Sequence, residues 1–308
     1  MSVRNIAAYA IISCLLVRQG NSQPARGVSA SVIVTVADHL SHKPQPLRAE
    51  DIGHVSSVRI TGITPLRGDS ELFLLIDDAA NYDFGQKLQE LRSFVDSRPA
   101  SVAIGVAFIR NGELSIAQPL TKDHQLADRA LRAPSGSKPA NPYCALSSLI
   151  DSWSGSGRQR EVVMVASGID YSVVGSAVCA NAETAIADAQ RAGVIVYAIY
   201  HPAADYEHME WRQVDRGVVD LAHVCYETGG EAYFITHSPM ENIGLFLGDI
   251  AEHLMNQYVV NVVIDPMPGS DFQHLLIYPQ TAGLDLMAPA GIWLKAKNRS
   301  SAASGSKR

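Results

Sequence analysis

Acidic, hydroxyl and imidazole groups gather at a few points of this sequence, and their spacing decides what chemistry they can do. Asp77 and Asp78 are adjoining carboxylates, the residue types of general acid and base catalysis. Successive residues at a strand end point to opposite faces, so the two need not meet at one substrate. The segment 201–208 holds His201, Asp205, Glu207 and His208, donor types that suit a transition metal. Strung across a connection, they read more simply as a solvated loop. The wider segment 201–216 also carries Tyr206, Met209 and Trp211. Exposed, such groups anchor a protein partner; packed inward, they would make a lid. Ser167-Gly168 lacks the Gly-x-Ser-x-Gly frame of a nucleophile elbow. Gly229-Gly230 follows a helical stretch rather than opening one, so it does not form a phosphate loop.

The elements that position these residues follow from apolar periodicity. Leu72–Ile76 is a short continuous apolar run, the pattern of a strand buried on both faces. Phe84, Leu88, Leu91 and Val95 then form one helical stripe, with Pro99 beyond its end. Val102–Ile109 is a second strand, and Asn111-Gly112 marks a hairpin into Leu114–Gln118. Further strands are expected at Val162–Ala166, Val194–Tyr200, Ala232–Ile235 and Tyr258–Ile264. Helical patterns fall at 123–131, 146–153, 182–192, 218–226 and 243–254. Strands alternating with helices at this spacing predict an α/β fold. The sheet is doubly wound and mainly parallel, with one antiparallel edge strand. Ser31–Val36 and Val55–Ile63 predict a β segment before this domain, and the stretches 275–278, 283–287 and 291–296 a β appendage after it.

The first residues have a different character. Arg4 precedes the apolar run Ile6–Val17, and a polar, turn-rich stretch follows. The run is too short to span a bilayer and suits the core of a signal peptide. The expected organisation is therefore a signal peptide over 1–25, an N-terminal β segment over 26–69, the main domain over 70–265, a C-terminal β appendage over 266–297 and a disordered polar tail over 298–308. The mature chain is expected to carry no integral membrane span and to be exported, periplasmic or secreted. Ile11-Ile-Ser-Cys14 has the look of a lipobox, so a lipoprotein anchored through Cys14 is the alternative. Cys144, Cys179 and Cys225 remain after cleavage. Their odd number allows one disulfide and one thiol, and none has the CxxC spacing of a zinc site. Which two pair is open. The chain carries a formal charge of −6 and has no basic run, which argues against nucleic acid and against an anionic membrane surface as its partner.

Four stretches, in order, resemble the von Willebrand factor type A family, and more closely its exported bacterial, acidobacterial-type relatives. They are Leu72–Asn81, Arg160–Asp170, Asp188–Ile199, and Glu227–Ala232 together with Leu254–Tyr258. The resemblance implies a metal-ion-dependent adhesion site at the carboxyl ends of the strands. There an Asp-x-Ser-x-Ser loop, a threonine and a further aspartate would supply hard oxygens to magnesium. Asp77 matches the first carboxylate. Ala79 stands at the first serine and supplies no oxygen, and Asn81 replaces the second serine with an amide. Ser167 stands where the family places its aspartate, with Asp170 displaced three residues on, and Asn141–Cys144 brings no threonine. Asp77, Asn81 and Asp170 are thus the remnants of a degenerate metal site. Asp78, Ser167, Tyr206 and Trp211 are the expected partner-binding residues. No cofactor is expected, with magnesium the alternative.

The resemblance implies a non-catalytic module outside the cytoplasm that binds or adheres to a protein partner, not an enzyme. Two other classes stand beside it. A hydrolase using the crevice carboxylates would need a nucleophile, a base and an orienting group, which the sequence does not identify. A structural component of a cell-envelope assembly would need only the scaffold.

Overall fold

The computed structural model describes residues 27–37, 46–55, 57–67, 69–80, 84–136, 141–153, 157–170, 179–203, 209–234 and 242–294. The signal-peptide stretch, Cys14, Asn81, Tyr206, His208 and the 298–308 tail lie outside them.

The core is a six-stranded sheet of β4 (Ser70–Asp77), β5 (Ala103–Arg110), β6 (Glu113–Thr121), β7 (Gln159–Ala166), β8 (Val194–Tyr200) and β9 (Ala232–Phe234). The strands run in the order β6-β5-β4-β7-β8-β9. All pairings are parallel except β5 with β6. Counted from its own first strand the order is 3-2-1-4-5-6, the doubly wound arrangement that reverses direction between its first and fourth strands. The fold expected from the sequence is the one observed.

Local sequence explains each element. Every residue of β4 from Glu71 to Asp77 is buried, as a strand covered on both faces requires. The hairpin between β5 and β6 turns at Asn111 and Gly112, with φ of 51° and 85°. These are the two positive values of a type I′ turn, which is why an Asn-Gly pair stands there. Helices cover both faces. On one side α1 (Phe84–Asp96), α2 (His124–Ala130) and α6 (Ile243–Met255) bury Phe84, Leu91, Ala127, Leu247 and Ile250 against Leu72, Leu74 and Ile76. On the other, α3 (Pro142–Ser152), α4 (Ala182–Ala192) and α5 (Trp211–Thr228) bury Tyr143, Leu146, Ile186, Leu221 and Val224 against Leu75 and Met164. Asn141, Asn181 and Asn242 cap their helices by accepting from backbone N–H groups of the first turn. Helix α5 starts at Trp211, well before the 218–226 stretch in which the helical pattern is visible, because its first turns are solvent-facing.

The additions at the two ends form one body, not two. Strand β1 (Val28–Ala37) pairs with β10 (Gln257–Ile264), which pairs in turn with β3 (Val58–Pro65), and β13 (Asp285–Met287) closes the other edge. This corrects the placement of Tyr258–Ile264 in the main domain. The strand alternates half-buried and buried residues and is antiparallel on both sides, so it belongs to the second sheet. The remaining strands pair as β2 (Ile52–His54) with β12 (Ile277–Pro279) and β11 (Phe272–His274) with β14 (Gly291–Trp293). Val34, Val260, Val262, Leu275 and Leu286 share a separate core.

Cys144 and Cys179 form a disulfide with a Cα–Cα distance of 5.5 Å, and Cys225 is a buried thiol. A disulfide persists in an oxidising compartment, which agrees with export. The bridge closes a span of 35 residues. In the chain-entropy picture that closure is worth about 3–4 kcal/mol. Urea unfolding of the C144S/C179S double variant is expected to show a loss of that order; a change below about 1 kcal/mol would show that the bridge does not constrain the unfolded chain.

Candidate functional site

Open α/β sheets place their ligand crevice outside the carboxyl ends of the strands where the order reverses. Here that point lies between β4 and β7, which end in Asp77 and Ala166 side by side. His201 follows β8 next to them, its backbone N–H donating to the Ala166 carbonyl. Asp77, Ser167 and His201 therefore meet at adjoining strand ends. The sequence reading named all three, His201 within the 201–216 segment; that its backbone bonds directly to the end of β7 becomes visible only with the β7–β8 register.

These residues are turned inward. Asp77 Oδ1 accepts from the Ala79 N–H at 2.9 Å, holding the loop after β4 against its own strand. Ser167 is buried, and its hydroxyl oxygen lies 3.4 Å from the Ile169 N–H. His201 is buried, with Nδ1 3.1 Å from the Pro202 carbonyl and its ring edge-on to Phe84. Helix α5 closes over the turn. Gly168 has a φ of 69°, and a methyl group there would strike the Gly217 carbonyl and Leu221. Gly217 in turn lies against Ser167 and Ile169. Two glycines thus let the helix backbone rest on the loop. Tyr143 adds a hydrogen bond from its hydroxyl to the Gly168 carbonyl at 2.8 Å.

Asp78 was expected to face a partner; its carboxylate is instead buried, with no exposed side-chain surface. The Arg132 guanidinium grips it with two hydrogen bonds, at 2.6 and 3.2 Å. Ser135 adds its backbone N–H at 2.8 Å and its hydroxyl, and Arg110 stands 3.8 Å away. The Arg132 guanidinium carbon also lies over the Phe108 ring, 3.9 Å from its centroid. Burial pushes the Asp78 carboxyl up, but the bonds from Arg132 and Ser135 outweigh it and hold the group below the usual carboxylate range. Neither Arg132 nor Ser135 carries a sequence signal, since they lie 54 and 57 residues from Asp78.

Asp170, read as a displaced metal ligand, is exposed and lines a different depression. That cavity of about 330 Å³ lies between α4 and α5 with Asn181, Glu183, Gln213, Arg216 and Asp220. Burial raises the Asp220 carboxyl above its usual range, against the pull of Arg216. Trp211 stands on the first turn of α5 and is 68% exposed, so it is not packed down as a lid. Asn141, in the loop from which the family's threonine is expected, spends its side chain on capping α3 and on the Ala180 carbonyl. A larger cavity, about 790 Å³, lies at the opposite end of the sheet beside Ser70, Arg98 and Gln257.

The sheet order defines a doubly wound α/β domain whose strand order reverses between β4 and β7. No family model matches the chain, and no curated protein matches it by sequence. Solved structures of similar shape include an aerotolerance-related membrane protein from Bacteroides fragilis, with 15% identity and a TM-score of 0.44 over 60% of this chain and 98% of that one. The conserved hypothetical protein BatB from Bacteroides thetaiotaomicron has 16% identity and a TM-score of 0.43, over 60% and 97%. The pilus adhesin SpaC from Lactobacillus rhamnosus GG has 11% identity and a TM-score of 0.44, over 85% of this chain and 41% of that one. Likeness at this level carries no statement about function, and the fold assignment rests on the sheet order of this chain. Among the described residues no helix is long and apolar enough to cross a membrane.

Proposed function

We propose that this protein is a non-catalytic binding module of the extracytoplasmic space, periplasmic or secreted, which takes a protein partner at the carboxyl-end face without a bridging cation. The observation that carries this reading is the Arg132 guanidinium on Asp78. The buried carboxylate after β4 is neutralised by a cation of the chain itself, locked by two hydrogen bonds. The Ser167 hydroxyl and the His201 ring, after the neighbouring strands β7 and β8, are buried and close to adjacent backbone groups. Among the described residues the accessible rim includes Trp211, and Asp170 and Arg216 with the depression they line. An exposed indole beside mixed charges is the composition of an interface anchor with a polar surround. The disulfide supports the compartment.

Crosslinking tests the placement. A photoreactive side chain in place of Trp211 is expected to give one discrete adduct in an envelope extract containing EDTA, and the same group at exposed Leu276 in the second β body none. An adduct from both positions, from neither, or only in the presence of magnesium would overturn the reading.

A further inference from the structure

Away from the crevice, at the free edge of the central sheet, three metal-ligating side chains converge. Glu231 immediately precedes edge strand β9, and Asp249 and His253 lie one turn apart on α6. One donor atom from each, two carboxylate oxygens and an imidazole nitrogen, lies within 4.8 Å of the others. The geometry points to a divalent transition-metal site at Glu231, Asp249 and His253, of the zinc or manganese class. This assignment is independent of the binding role proposed for the crevice.

Four observations support it. First, the imidazole is fixed as a floor. His253 keeps only 3% of its side chain exposed, and its ring stacks on Tyr197 at 6.1 Å. The carboxylates of Glu231 and Asp249 are 39% and 38% exposed, so the cluster opens to solvent on the side from which an ion would enter.

Second, the spacing is within reach of a coordination shell. The three donor atoms lie within 4.8 Å of one another, and Glu231 Oε2 stands 3.7 Å from His253 Nδ1, longer than a hydrogen bond. Bonds of about 2.0–2.2 Å to a tetrahedral zinc would set donor atoms about 3.4 Å apart. Closing around an ion therefore takes movements of roughly 1 Å by the two part-exposed carboxylates.

Third, an outer-shell partner is already in place. The Tyr233 hydroxyl oxygen lies 2.8 Å from Asp249 Oδ2, 3.1 Å from Glu231 Oε2 and 3.4 Å from His253 Nδ1. With a dication among the acids the hydroxyl would orient one carboxylate, the part that outer-shell hydrogen bonds play around metals.

Fourth, the donor set selects the ion. An imidazole with two carboxylates favours zinc, manganese or a similar first-row ion over magnesium or calcium, which prefer oxygen alone. Three protein ligands leave a position open for water or a further ligand.

The test is calorimetric titration of the whole, chelator-stripped protein with zinc and, separately, manganese. One equivalent of at least one ion is expected to bind with micromolar or tighter Kd and to raise Tm. Glu231→Gln and Asp249→Asn, at part-exposed positions that leave the apolar core intact, are each expected to weaken binding at least tenfold, while Asp77→Ala leaves it unchanged. The cobalt(II) visible spectrum of the wild-type protein is expected to show d–d bands of nitrogen–oxygen coordination that both variants lose. Absence of a stoichiometric site for either ion, or equal binding by wild type and both variants, overturns the assignment.

Discussion

Replacing Arg132 by alanine is expected to cost about 3 kcal/mol of folding stability, an effect large for a residue whose side chain is 41% exposed. The loss comes from what is left behind. Asp78 has no exposed side-chain surface, so without the guanidinium its charge stays buried with Ser135 and the more distant Arg110. Arg132→Lys is expected to recover only part of the loss, because an ammonium cannot make the paired bonds at 2.6 and 3.2 Å that the planar guanidinium makes while it covers Phe108. The pH dependence follows from the depressed Asp78 carboxyl. Its contribution is present above the unfolded aspartate value of about 3.9 and is lost as pH falls through the lower folded value. Arg132→Ala should therefore flatten this part of the acid limb. Urea unfolding of the three proteins between pH 3 and 8 measures both effects. A loss below about 1 kcal/mol would show that water replaces the guanidinium and that the loop is not locked.

A second large effect is expected at Glu161, with the opposite sign. This carboxylate sits in β7, buried, between the central sheet and the second β body. Gln257 and Ser70 lean toward it, yet neither of its oxygens has a partner in hydrogen-bond geometry among the described residues. Burial raises it from 4.5 to about 7, against the pull of Gln257, Ser70 and Arg98. Between those two values the folded protein holds a proton that the unfolded chain has released. The group's contribution is thus fully present below pH 4.5 and is lost as pH rises through about 7, a fall of about 3 kcal/mol. Glu161→Gln keeps the shape without the charge. It should abolish this slope and make the protein about 3 kcal/mol more stable than wild type at pH 8. Equal stability of the two proteins at pH 8, with parallel pH profiles, would show that the carboxylate is solvated in the native state.

How much of this was legible in the sequence follows from which interactions are local. The apolar run of β4, the Asn-Gly hairpin and the 182–192 helix, which ends on Gly193 with a φ of 67°, are fixed by neighbouring residues, and all appear where the sequence pattern places them. Strand β10 shows the limit. Its residues announce a strand, but only pairing with β1 and β3 from the start of the chain decides which sheet it joins. The candidate site divides in the same way. Ala79 in the first ligand loop can be read directly from the sequence. That Asp78 turns inward to Arg132, and that Asp170 faces a separate depression, depends on contacts across more than 40 residues. The Glu231, Asp249 and His253 cluster has no motif at all, because its members come from a strand entry and a helix brought together by the sheet edge. Asn81 and Tyr206 stay outside the described residues.

The central claim is that the strand-end crevice recognises a partner without a bridging magnesium, the Asp78 carboxylate being neutralised by Arg132. Calorimetric titration of the chelator-stripped protein with magnesium, run beside Asp77→Ala, tests it most directly. The account predicts no saturable heat from either protein at millimolar magnesium. Tight binding of one equivalent by the wild type, lost in Asp77→Ala, would contradict it.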